Sequence, residues 1–100
     1  MEAGNQLVAL ADPTRRALFE SLARRPMSVS ALASEHPVSR PAVSQHLKVL
    51  AGSGLVRVSP DGTRRIYSVD PEGLTALGAW VEAMWDHVLD RFEAAAREEK

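Results

Sequence analysis

A chain of 100 residues with 45% apolar and 25% charged side chains is sized for one folded domain with its own core, which excludes a disordered chain. The absence of cysteine excludes a disulfide framework and any thiolate metal site. The net charge of −1 is unevenly placed: residues 1–70 hold nine Lys or Arg against six Asp or Glu (+3), and residues 71–100 hold three against seven (−4). A basic body with an acidic end points the first seventy residues toward a polyanion. No apolar run approaches a membrane span, and the N-terminus lacks a charged region followed by an apolar core, so the expected location is cytoplasmic.

From Asn5 to Ala11 a brief helix is expected, with Leu7, Val8 and Leu10 in need of a partner surface. Asp12-Pro13 then reads as a capping acid followed by proline at the first helical position, starting a helix to Arg24 that turns Ala17, Leu18 and Leu22 inward beside Phe19. Arg15 and Arg16 sit in its first turn, where the helix dipole disfavours cations. They call for a local structural partner or for a phosphate, and the sequence does not choose between them. Arg25-Pro26 ends this helix, Ser28 caps a short one running to about Glu35, and His36-Pro37-Val38 makes a tight connection.

The segment from Ser39 to Gly54, SRPAVSQHLKVLAGSG, has a capping serine, a first-turn proline and two terminating glycines. Val43, Leu47 and Leu50 recur at helical spacing and form its buried stripe, while Arg40, Ser44, Gln45 and Lys48 recur on another face. That segment contains no acidic residue. Two helices of eight and about fourteen residues across a tight turn make a helix-turn-helix, with the second helix as the reader. Ser44, Gln45 and His46 have the chemistry to reach base edges, and Arg40 and Lys48 to contact phosphate or guanine. The alternatives are a solvated amphipathic helix and, for His46, a packing role.

Leu55-Val56-Arg57-Val58 has strand propensity, Pro60-Asp61-Gly62-Thr63 reads as a turn, and Arg64 to Val69 returns as a second strand. Arg64 and Arg65 would make this hairpin a basic wing beside the reading helix, the alternative being an ordinary surface hairpin. Asp70-Pro71 repeats the cap-then-proline start, and a long helix is expected to about Ala96. In it Leu74, Leu77, Val81, Met84 and Val88 follow a heptad seam, broadened by Trp80, Trp85, Leu89 and Phe92. A body whose core is closed by the earlier helices has little use for that surface, so a two-fold dimer is expected. The expected interface is Leu7, Leu10, Leu74, Leu77, Val81, Met84, Trp85, Val88 and Phe92; packing wholly within one subunit is the alternative.

LADPTRRALFESL, SRPAVSQHLKVLAGSGLV and DGTRRIYSVDPEGL, spanning nearly the whole chain, resemble the small winged-helix repressors of the arsenical-resistance-repressor (ArsR/SmtB) type. The resemblance implies a mainly α fold with a small β-hairpin, a single winged-helix DNA-binding domain over residues 1–100, with a body at 5–70 and a dimerisation helix at 71–96. It implies a homodimer that binds double-stranded DNA at an operator and represses transcription, on a prokaryotic nucleoid. It turns Ser39, Ala42, Ser44, Gln45 and His46 toward the major groove and places Arg64 and Arg65 on the wing.

The metal-sensing members of that family carry cysteines before the reading helix, where this chain has Ser28 and Ser30. Glu82, Asp86, His87 and Asp90 lie on the last helix without a second histidine to complete a site, and read better as solvated surface. No metal and no cofactor is therefore expected, and the small-molecule effector is unknown. Nothing in the chain pairs a nucleophile with a base or builds a phosphate loop, so no enzyme is expected. The competing function is a winged-helix module that binds a protein without reading DNA, which a gel shift on its own upstream region would separate.

Overall fold

Capping chemistry starts three of the helices. The computed structural model describes residues 2–98. In it α1 (Glu2–Ala11) leads into α2 (Pro13–Arg24), whose cap Asp12 accepts the Arg15 amide at 2.9 Å. Ser28 caps α3 (Val29–Glu35) by accepting the Ala31 amide, and Ser39 caps α4 (Arg40–Gly52) by accepting the Ala42 amide. α4 ends in a Schellman turn: the Gly54 amide donates to Ala51 and the Leu55 amide to Leu50, with Gly54 at φ 84°. Of the two glycines expected to end this helix, only Gly54 adopts a backbone conformation that favours glycine.

The expected hairpin is present as β2 (Val56–Asp61) and β3 (Arg64–Val69), paired antiparallel from Val56–Val69 to Asp61–Arg64. Its loop is tighter than the sequence suggested: Pro60 and Asp61 belong to the strand, leaving Gly62 and Thr63, with Gly62 at φ 65° in the first central position. The sheet also has a third strand, β1 (Met27–Ser28), which pairs with β3 and gives the order β1-β3-β2. Two residues are too few for any alternation to announce a strand. Pro60 is tolerated because β2 is an edge strand.

Leu18, Leu32, Val43, Leu47, Leu50 and Leu55 are fully buried in one cluster with Ala9, Phe19, Leu22, Met27 and Val56. The buried stripe of α4 is the expected one. No residue of the final helix, α5 (Pro71–Glu98), enters that cluster. α5 packs on α1 near its start, where Gly73 is buried, and then leaves the body: 28 residues at about 1.5 Å each make a rod of about 42 Å, and the molecule measures 66 × 25 × 22 Å.

Candidate nucleic-acid interface

The helix-turn-helix is held by contacts outside the two helices. At the turn, His36 Nε2 lies 2.8 Å from Ser21 Oγ, tying the turn to α2, and Arg25 pairs with Glu35 at 2.6 Å across the ends of α2 and α3. Both partners of that ion pair are about half exposed, so it adds little to stability. With Val43, Leu47 and Leu50 buried, the opposite side of α4 must face outward. Ser39, Arg40, Ser44, Gln45 and Lys48 are exposed there, and Ala42 and His46 are half-buried. Neither Arg40 nor Lys48 has an ion-pair partner among the described residues, and both ammonium and guanidinium are left for an external anion.

Arg15 and Arg16 find their partners within the protein. The Arg15 Nε donates to the Ala9 carbonyl at 2.7 Å and an Arg16 terminal nitrogen donates to the Leu10 carbonyl at 2.8 Å. Two cations that suit the start of α2 badly suit the end of α1 well, where carbonyls lack helical partners. Asp12, accepting the Arg15 amide with the Arg15 guanidinium nearby, has its carboxyl held below the usual carboxylate value.

On the wing, directly opposed residues share a face, so Arg64 stands with Asp61 on one side and Arg65 with Pro60 on the other. The two arginines do not form one cluster. Arg57, passed over in the sequence because it reads as an ordinary strand residue, shares the face of Arg64 and is exposed. Arg64 is paired with Asp61 at 3.3 Å, both largely exposed. Replacing Asp61 by Asn should free Arg64 and strengthen binding to random DNA about twofold to threefold at low salt, less at high salt, as titrated by fluorescence anisotropy. Unchanged affinity would take Arg64 out of the interface.

On α5, Leu74, Trp80, Val81, Met84, Trp85, Val88, Leu89 and Phe92 are each at least 38% exposed, Phe92 reaching 70%. Leu77 is half-buried. On α1, Leu7 is exposed as expected, but Leu10 packs against the core of its own subunit, and Val8, 69% exposed, offers the larger free surface. Ser28, which stands where thiolate ligands occur in metal sensors, uses its hydroxyl to cap α3. Among the described residues no three His, Asp or Glu come together in a metal-binding group. No described helix is long and apolar enough to cross a membrane.

A short helix, a tight turn, an outward-facing helix without acid and a β-hairpin beside it compose a winged helix-turn-helix. The helix-turn-helix domain family matches residues 10–59. The HTH-type transcriptional regulator Rv2034 of Mycobacterium tuberculosis is 56% identical over 81 residues, covering 81% of this chain and 76% of that protein. An ArsR-like transcriptional regulator from Rhodococcus sp. RHA1 superposes with a TM-score of 0.80 at 33% identity, over 95% of this chain and 92% of its own. The chain belongs to the ArsR/SmtB-type winged helix-turn-helix family. The homodimeric winged helix-turn-helix DNA-binding domain of Mb0332 from Mycobacterium bovis superposes with a TM-score of 0.70 at 28% identity over 90% of this chain and 83% of its own. ArsR-type proteins are DNA-binding transcriptional regulators, and so is this one. Its hairpin is the wing of that fold.

Proposed function

We propose that this ArsR-type chain is a homodimeric repressor, acting in the cytoplasm at an operator near its own gene. Residues 5–70 form the DNA-binding body and residues 71–96 the dimerisation helix. The observation that carries the reading is the outward face of α4, free of acid from Ser39 to Gly54 and bearing Arg40 and Lys48 without ion-pair partners among the described residues. Ser39, Ala42, Ser44, Gln45 and His46 face the bases, Arg40 and Lys48 take phosphates, and Arg64 and Arg65 flank them from the wing. Two copies of such a helix related by a two-fold axis fit an imperfect palindrome whose half-sites lie about one helical turn apart.

Footprinting on the DNA flanking its own gene tests this directly. Protection of two such half-sites is the expected pattern; no protection of any flanking sequence overturns it. Removing Arg40 or Lys48 by alanine substitution should weaken binding to operator and random DNA alike and lower the slope of log affinity against log salt by about one. Gln45→Ala should instead cost the operator about tenfold and leave random DNA unaffected. Equal losses on both would take Gln45 off the list of base readers.

A further inference from the structure

Among the described residues, His46 is the one member of the α4 outward face with a side-chain hydrogen bond to another helix, α2. Its Nδ1 lies 3.5 Å from a terminal nitrogen of Arg15, whose Nε holds the Ala9 carbonyl at the end of α1 and whose amide is held by Asp12. Arg15 is therefore fixed at two points before it meets the imidazole. A guanidinium carries only donors, so the nitrogen it faces must be the acceptor. The neutral ring then carries its proton on Nε2, and that nitrogen has no hydrogen-bond partner among the described residues.

We infer that Arg15 is a positioning residue for DNA reading: by donating to Nδ1 it fixes the His46 tautomer, so that α4 presents a hydrogen-bond donor, and no acceptor, at that step of the groove. The ligand group that fits is an acceptor, either a purine N7, guanine O6 or thymine O4 on a base edge, or a phosphate oxygen. A freely rotating histidine offers a donor or an acceptor with equal ease and discriminates poorly; the contact with Arg15 removes that ambiguity. The same contact explains why an arginine and not a lysine suits the position, because one planar group must serve the Ala9 carbonyl and the imidazole together. This inference rests on the proposed DNA face, but its first test does not need DNA.

In the 15N-labelled full chain, two-bond hydrogen–nitrogen correlation at a pH where the ring is neutral should show His46 with its proton on Nε2. A proton on Nδ1, or an even mixture, overturns the inference. Arg15→Met keeps the stem and removes every donor, and should move His46 toward a mixture; Arg16→Met removes only the neighbouring contact to Leu10 and should leave the His46 signals in place. With DNA, Arg15→Met and His46→Ala should each cost about threefold to tenfold, the value of one hydrogen bond, and the double variant no more than either alone. Losses confined to the operator identify a base acceptor, and losses shared with random DNA identify a phosphate. Additive losses, or none from His46→Ala, overturn the coupling. A wild-type chain that binds no DNA would sink the DNA face while leaving the tautomer measurement intact.

Discussion

Val81→Glu combined with Val88→Glu should convert the protein to a monomer and lower operator affinity by at least about a hundredfold, while the body stays folded. Both side chains are exposed, 42% and 38%, and lie one heptad apart on the same side of α5. They share that side with Leu74 and Met84, and the core cluster takes nothing from α5. A monomer seldom leaves so continuous an apolar surface in water. Placing a carboxylate in each of two facing seams desolvates like charges at close range, and Val81 lies ten residues, about 15 Å of helix, from Arg91, the one cation in line with the seam. The effect on DNA follows from linkage: with two reading heads joined, the second head binds at high effective concentration, and separating them forfeits about a hundredfold to ten-thousandfold. Sedimentation equilibrium with operator titration decides it. A double-glutamate protein that is still dimeric places the interface elsewhere.

Local chemistry is what the sequence exposes best. Asp12, Ser28 and Ser39 cap the helices they were expected to cap, because an N-cap depends on a side chain and an amide three residues on. The buried stripe of α4 follows from spacing alone. What stays hidden is anything whose reason lies on another element. Arg15 and Arg16 had two readings until the end of α1 was seen beside them. Leu10 looked like Leu7 in sequence, yet only the register of α1 against the core decides that Leu10 turns inward while Val8 turns out. Arg64 and Arg65, adjacent in the chain, looked like one basic tip until the strand put them on opposite faces. Gln6 gave no signal at all. Its side chain is buried, donating from Nε2 to the Ser53 carbonyl at 3.4 Å while its Oε1 has no hydrogen-bond partner among the described residues.

Gly73→Val should be the most destabilising single change in the first turn of α5, costing about 3 kcal/mol or more, whereas Gly52→Ala should stabilise by about 0.4–1 kcal/mol. The two glycines lie at either side of one junction. Gly73 is buried against the turn that ends α4, and a Cβ there would fall on the Gly54 carbonyl, with the Gln6 amide also within 3.3 Å. Neither neighbour can give way cheaply, since the Gly54 carbonyl belongs to a Schellman turn held by the Ala51 and Leu50 carbonyls, and Gln6 is wedged against Ser53. α5 must therefore lift, and lifting it pulls on the Asp70 amide, which donates to the Leu55 carbonyl at 2.9 Å, and uncovers the buried Gln6. Gly52 ends α4 with no neighbour within 4 Å of an added Cβ and without the positive φ of Gly54, so alanine there only restricts the unfolded chain. Urea denaturation of both variants checks the pair. Because the Gly73 contact joins the root of α5 to the end of α4, under the proposed roles of these helices its loss should also blur half-site spacing, so that Gly73→Ala, even where it folds, binds operators with altered spacers nearly as well as the native one. A Gly73→Ala protein as stable and as strict about spacing as the parent would show that the rod is not seated on that turn.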